Sequence, residues 1–148
     1  MRAAEGQTMG QDMLHNIESI AAQLTLIEQR IPQVVADYTS RLQERIAKLL
    51  APHETGIEPS EIAREVALFA ERSDISEEVV RLRSHIEQFG ETMQAEDGIG
   101  RRLEFVSQEM FRETNTIGSK ANDTEISKHV IEIKAAIERI REMVQNIE

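Results

Sequence analysis

Glu109 and Glu113 are the side chains whose type and spacing first suggest chemistry. Four residues apart on a helix, their Cβ atoms lie about 6 Å apart, so both carboxylates can bind one divalent cation through oxygen. Position 113 also continues an apolar row: Ile99, Leu103, Val106, Met110 and Ile117. Burying an unpaired carboxylate costs several kcal/mol or more, so we expect Glu113 to meet a cation. That cation is either a metal ion or an arginine from a neighbouring helix, in which case Glu109 pairs with Arg112.

Three further side chains are candidates to complete a metal site, namely His85, Glu78 and Glu65. The imidazole of His85 can bind a metal or act as a general acid or base near its ordinary pKa of about 6.5. A single histidine on a helix is more often an ordinary packed or solvated residue. Glu65 is either a third acidic ligand or the partner of a buried arginine. The metal hypothesis requires that these side chains face Glu109 and Glu113.

Cations accumulate around the same acidic pair. Residues 98–122 carry four Lys/Arg and three Asp/Glu, whereas residues 58–97 carry four and eleven. The cations are Arg101, Arg102, Arg112 and Lys120, and hydrogen-bonding groups lie beside them in Asn115, Thr116 and Ser119. Such groups suit contacts to RNA phosphates and sugar hydroxyls, although a solvated charged surface has the same composition.

The elements that position these groups are predicted to be helices, because apolar residues recur at steps of three and four and no strand-like alternation is present. We expect an all-α fold with two long coiled-coil-like arms, at 1–50 and 122–148, and shorter central helices at 58–121 that carry the site. Pro32 interrupts the first arm, either between two helices or as a kink in one, and we favour one kinked helix. Asp74 and Asn122 are the predicted N-caps of two later helices.

Composition excludes several classes of protein. The chain has 148 residues, no Cys and a net charge of −10, which argues against disulfides, thiolate metal sites and indiscriminate nucleic-acid binding. It has no phosphate-binding glycine loop, dinucleotide fingerprint or nucleophile elbow. It also has no apolar run near eighteen residues and no signal-type start, so we expect a soluble cytoplasmic protein.

Several short motifs together are specific to one family. They lie at 65–70, 74–78, 81–82, 84–85, 100–103, 108–110, 112–113, 115–121, 141–142 and 145–148, and include Asn-Thr-Ile-Gly-Ser-Lys-Ala at 115–121. Arg2, Glu5 and Gly6 match an early Arg-x-x-Glu-Gly element, whereas Phe111 and Met143 stand at positions where we expect more polar residues. With these motifs the chain resembles the YicC family of bacterial endoribonucleases over nearly its whole length.

The resemblance implies that the chain is the C-terminal helical region of a longer protein that also has an N-terminal α/β region. It further implies an oligomer, a hexamer, that encloses RNA and cleaves it with a divalent cation such as manganese, or magnesium. On this basis we expect Glu113, Glu109 and His85 to be catalytic and to hold the ion together with Glu65 or Glu78. The expected RNA-binding residues are Arg81, Arg101, Arg112, Asn115 and Lys120. The alternative is a non-catalytic assembly or RNA-clamp module whose active site depends on the N-terminal region.

Overall fold

The chain folds into helices throughout the part that the structure, a computed structural model, describes. That part comprises residues 2–53, 56–95 and 99–147, with the side chains of 2–7 and 53 excepted, so those of the early motif at Arg2 and Glu5 lie outside the described residues. The helices are α1 (Arg2–Leu50), α2 (Pro59–Arg72), α3 (Ser76–Met93), α4 (Ile99–Ala121) and α5 (Thr124–Gln145), with a 3₁₀ turn at Ala51–His53. The predicted all-α class is confirmed. No described helix is long and apolar enough to cross a membrane.

Four of the helices form a bundle in which each neighbour runs antiparallel. Between α1 and α5, residue numbers rise along one helix as they fall along the other: Asn16 with Arg139, Gln23 with His129, and Arg30 with Asp123. The same opposition holds between α3 and α4, where Glu78 contacts Lys120 and Arg81 contacts Glu113. Between α4 and α5, Gly118 faces Val130 while Phe111 lies against Lys134. Since Arg83 on α3 binds Glu28 on α1, the four helices close into an up-and-down bundle.

The apolar rows read from the sequence face the inside of this bundle. The buried core contains Ile20, Leu24 and Ile27 from α1, Leu82 and Phe89 from α3, Leu103, Met110 and Ile117 from α4, and Ile133, Ile137 and Ile140 from α5. Spacings of three and four residues place such side chains on one helix face, and burial of those faces drives the packing. One core therefore joins the three predicted segments, 1–50, 58–121 and 122–148. Within it, α1 of the first arm packs against α5 of the last.

The first arm is one helix that continues through Pro32. A proline inside a helix removes the hydrogen bond to the carbonyl four residues earlier. Pro32 is exposed, so water can reach that part of the backbone. Just beyond this point Val34 and Val35 still line a cavity with Ala121 and Ile126 of the bundle. Further along, α2 packs on α1 through a stack of Tyr38 on Phe69 with ring centroids 3.7 Å apart.

The two predicted N-caps each lie one residue away from the observed cap position. The cap of α5 is Asp123, whose side chain accepts a hydrogen bond from the Ile126 amide, whereas Asn122 takes a positive φ of 48° in the turn. An amide side chain tolerates that left-handed conformation better than most residues. Ile75 stands at the cap position of α3, and the Asp74 carboxylate instead accepts from the amide and hydroxyl of Ser76. In both turns the predicted polar residue is therefore part of the turn but stands one position before the cap residue.

Candidate nucleic-acid interface

Glu113 lies on the buried face of α4, and Arg81 of α3 reaches it. The Glu113 residue is 7% exposed. The Arg81 Nε atom donates a hydrogen bond of 3.0 Å to its Oε1. The expectation that a cation meets this carboxylate is confirmed, with an arginine in that role. The Arg81 side chain itself is 47% exposed, so its guanidinium connects a buried anion to the surface.

A second buried carboxylate, Glu78, lies next to this pair and is held by two cations. Lys120 Nζ donates to Glu78 Oε1 at 2.8 Å, and Arg81 Nη2 lies 3.5 Å from the same oxygen. The other oxygen, Oε2, is buried without a hydrogen-bond partner among the described residues. Lys120 is 42% exposed at its side chain. Two half-exposed cations therefore rest on two buried carboxylates at the interface of α3 and α4.

The pKa values follow from these contacts. Burial opposes ionisation of Glu78, but the Lys120 hydrogen bond and the positive charges of Lys120 and Arg81 outweigh it, so the pKa of Glu78 is lowered. The hydrogen bond to Glu113 raises the pKa of Arg81, and the one to Glu78 raises the pKa of Lys120. Glu78, Arg81 and Lys120 are thereby held in their charged forms at neutral pH.

One face of α4 carries most of the cations of the net-positive segment. Stepping by three and four residues along this face gives Arg101, Phe105, Glu109, Arg112, Thr116 and Lys120, with Arg102 beside the row. Arg101 and Arg102 are exposed, and the Arg112 side chain is 75% exposed. At 1.5 Å per residue the face is about 28 Å long. We call these seven residues the α4 face; Arg81 adjoins it from α3.

Two further predicted metal ligands, Glu109 and His85, lie beside protein side chains of their own helices. Glu109 lies 3.8 Å from Arg112, as the alternative to a metal site anticipated. His85 Nδ1 lies 3.0 Å from the side-chain oxygen of Gln88. Within the described ranges, no three His, Asp or Glu side chains are grouped so that they could hold a metal ion. The predicted ligand set of Glu109, Glu113, His85, Glu78 and Glu65 therefore does not assemble a complete site within this part of a single chain, and the metal stays a prediction.

Two predicted residues lie away from the others. Glu65 is exposed on α2, where it accepts a 3.4 Å hydrogen bond from Tyr38 and lies 3.7 Å from Arg72. Asn115 is on the α5 side of α4 and accepts from Lys134 at 2.8 Å. The structure thus brings Arg81, Glu78, Glu113 and Lys120 together, but separates Glu65 and Asn115 from them.

Sequence reasoning overlooked two features of the site. Phe105 is an aromatic residue placed off the apolar row of α4, between Arg102 and Glu109, and it is 62% exposed. The sequence signal for an exposed Phe105 was its position outside the apolar row of α4. Glu78 is buried because it lies three residues after Ile75 and four before Leu82, which is the spacing of the core face. Its partner Lys120, 42 residues away, had no local signal.

Comparison with known proteins identifies the family to which the chain belongs. The family model described as "Endoribonuclease YicC-like, C-terminal" matches residues 27–148. Over 148 residues the chain is 43% identical to the "Probable endoribonuclease YicC" of Clostridioides difficile (strain 630) and 30% identical to the protein of the same name from Haemophilus influenzae. All of the chain and 50% of each relative are covered, so the chain spans half the length of these relatives. The class defined by the fold is thus an all-helical domain. The chain belongs to the YicC-like family, whose C-terminal model it matches.

Proposed function

We propose that the protein is an endoribonuclease and that this chain supplies the helical surface that holds its RNA. The observation that carries the proposal is the family match over residues 27–148, together with relatives named as probable endoribonucleases that cover the whole chain. The α4 face gives the proposal a physical basis, because it places exposed cations in one line on a chain of net charge −10.

Arg81 and Lys120 are the proposed contacts to the RNA backbone. Each side chain is roughly half exposed and is anchored by a buried carboxylate, Glu113 or Glu78. Anchoring removes side-chain freedom before the RNA arrives, so less entropy is lost when a phosphate binds. The buried carboxylates would thus be positioning residues, while the exposed N–H groups of the two cations donate to phosphate oxygens. The neighbouring Arg112 extends the same line of contacts.

Dependence on a divalent cation, manganese or magnesium, is a separate part of the proposal. An ion would stabilise charge on the scissile phosphate. Glu113 already receives a guanidinium, and the described residues of one chain form no three-ligand group. An ion that Glu113 and Glu109 helped to hold would therefore need further ligands from outside the described residues of this chain.

The experiment is cleavage of a labelled hairpin RNA by the complete protein, with manganese and with chelator. Glu113→Gln and Glu113→Ala separate the two roles of this residue. A glutamine oxygen can still accept from Arg81, so a positioning role predicts cleavage and manganese response close to wild type for Glu113→Gln and a clear loss for Glu113→Ala. A role as metal ligand predicts that both variants lose cleavage, because the amide is neutral and a poor ligand for a hard cation.

Controls for this experiment come from the same face. Glu109→Gln changes a carboxylate that is 27% exposed at its side chain and only loosely paired with Arg112, so we expect near-normal cleavage if no metal is held there. Arg81→Ala should weaken RNA binding whether Glu113 is a positioning residue or a metal ligand. Cleavage by the wild type that is unchanged by all four substitutions would contradict the assignment of this site, and absence of cleavage in any condition would contradict the nuclease proposal.

A second candidate function, an assembly module, is favoured by the outer part of α1. This segment extends beyond the bundle and carries Leu49, which is 65% exposed. An apolar groove of about 380 Å³ beside it is lined by Ile46, Leu50, Ile57 and Ile62 among others. Exposed apolar rows of this kind commonly pair with other chains. We therefore propose that α1 contributes to a homo-oligomer, with a hexamer as the expected form. Assembly and RNA binding are compatible.

A further inference from the structure

A second groove lies at the opposite end of the α3–α4 pair from Glu78 and Lys120. It is formed by the end of α3 and the start of α4 and has a volume of about 500 Å³. Its lining includes Gln88, Glu91, Arg101, Arg102, Phe105 and Val106. This volume falls within the range of about 300–1,000 Å³ that is typical of small-ligand sites. The groove is therefore large enough to take a group the size of a nucleotide.

Phe105 is the distinctive side chain of this groove. It is 62% exposed, whereas Phe69 is 3% and Phe89 is 0% exposed. The core of the bundle is thus complete without the Phe105 ring. An exposed aromatic ring beside guanidinium groups offers a flat apolar surface for stacking with a base next to donors for phosphate.

The charges around the ring match an anionic ligand. Arg101 and Arg102 line the groove, and Glu91 is the acidic residue that faces them from α3. Among the described residues, neither arginine has a carboxylate within ion-pairing distance, unlike Arg81 and Arg30. A protein of net charge −10 that places two exposed guanidinium groups beside an exposed ring favours a phosphate-bearing partner over an apolar peptide.

We propose that this groove is a subsite for one unpaired RNA nucleotide, with Phe105 stacked on the base and Arg101 and Arg102 contacting the phosphates beside it. The proposal rests on the RNA-directed function above and deepens it. Phe105 and Glu113 are eight residues apart on α4, which is about 12 Å along the helix axis. A strand that follows the α4 face therefore passes both the groove and the Arg81 and Lys120 contacts.

The test is the affinity of the complete protein for a short labelled single-stranded RNA, measured by fluorescence anisotropy in chelator, with a gel to check that the RNA stays intact. Phe105→Ala and Phe105→Leu should each weaken binding by about fivefold or more, since leucine keeps apolar area but has no ring to stack. Phe105→Tyr keeps the ring and should bind within about twofold of wild type. All three variants should fold, because the side chain is largely exposed.

Fully paired RNA distinguishes stacking from charge. Its bases are not available to Phe105, so the Phe105 variants should bind the duplex as the wild type does. Arg102→Ala should weaken binding to both RNAs and lower the dependence of affinity on salt, because it removes a phosphate contact. Ile131→Ala is the matched control, since Ile131 is 64% exposed on α5, outside the groove, and its loss should change neither affinity.

Several outcomes would overturn the subsite. If Phe105→Leu bound RNA with wild-type affinity, the contribution of Phe105 would be apolar contact and not stacking. If Phe105→Ala changed the mass of the assembly, the groove would be a contact between protein chains. Normal binding by Phe105→Ala in a protein that still cleaves RNA would refute the subsite and leave the proposed function intact. If the wild type neither bound nor cleaved RNA, both would fall together.

Discussion

Glu113 shows how one buried carboxylate fixes the position of a surface cation. A hydrogen bond to a charged group contributes about 1.5–3 kcal/mol, and more is lost when a buried partner is left alone. Because the Arg81 guanidinium extends from Glu113 towards solvent, the buried half of the pair determines the geometry of the exposed half. If Arg81 contacts RNA as proposed, stability and RNA binding are coupled through this single contact.

This coupling predicts a graded effect of substitution at Glu113. We expect Glu113→Ala to lower the free energy of unfolding by about 1–3 kcal/mol, because the hydrogen bond from Arg81 is lost. Glu113→Gln should cost less, since its side-chain oxygen still accepts. Urea denaturation of the 148-residue chain measures both values. Equal stability of the two variants and the wild type would show that the pair is only a surface contact.

Glu78 and Asp123 predict how stability depends on pH. Burial opposes ionisation of Glu78, but the bond from Lys120 leaves its pKa below the ordinary value; the bond from Arg30 is the main cause of the lowered pKa of Asp123. A lowered folded-state pKa stabilises the fold above the unfolded pKa, near 4, and that stability is lost as the pH falls through the folded value.

We therefore expect a flat urea midpoint from pH 7 to about pH 5 and a decline below about pH 4.5. In Asp123→Asn the decline should be shallower, because asparagine still caps α5 but cannot titrate. A decline that begins near pH 6.5 would instead implicate histidine and contradict this account.

The residue scale also shows what the sequence could and could not predict. Glu113 sits in an apolar row, so its need for a cation was predictable. Arg81 could not be identified in advance, because it lies 32 residues away and reaches Glu113 only once α3 and α4 are antiparallel. Likewise, the pairing of Glu78 with Lys120, 42 residues away, could not be identified from local sequence.

At the scale of the helices, periodicity predicted most of what is observed. Core rows repeat at three and four residues because burial follows the 3.6-residue turn, and α5 keeps this phase without a break. The caps were displaced by one residue because Asp, Asn and Ser can each satisfy backbone amides from adjacent positions in a turn. Turn chemistry thus indicated where α3 and α5 begin, but not which residue occupies the cap.

Gly118 determines how closely α4 approaches α5. A Cβ atom at this position would lie 3.1 Å from Cγ1 of Val130, which is buried and has a stiff β-branched side chain. We expect Gly118→Ala to destabilise the chain by about 1 kcal/mol, because the overpacking cost of about 1–3 kcal/mol exceeds the gain in helix propensity of about 1 kcal/mol. Thermal or urea unfolding measures the difference.

Gly90 provides the matched control within α3, since a Cβ atom there would meet nothing within 4 Å. Gly90→Ala should stabilise the chain by about 0.5–1 kcal/mol through helix propensity alone. Placing Gly118→Ala in a Val130→Ala background should remove its cost. If both glycine substitutions were stabilising in the wild-type background, the close approach of α4 and α5 would not be tight enough to matter.

At the scale of the whole molecule, α1 is much longer than its partner. Its 49 residues extend about 74 Å, whereas the 22 residues of α5 extend about 33 Å. The row of apolar residues predicted that α1 must bury a face, and the structure supplies that partner along its first part. Which helix would fill the role was not predictable, because an apolar row states a need for burial without naming the partner.

The outer part of α1 carries the prediction about assembly. If it pairs with other copies, light scattering over a dilution series should give a mass above that of one chain, and this mass should fall as the concentration is lowered.

Leu49→Glu should weaken this association by about tenfold or more, since it places a charge in an apolar contact. Leu26→Glu lies on the same helix at the level of the bundle and is 42% exposed, so it should leave the mass unchanged. A single-chain mass at every concentration would contradict self-assembly by this region, and the proposed RNA binding would then rest on the α4 face of a monomer. An equal loss of mass in both variants would instead place the contact along the whole of α1, so that Leu49 would have no special role.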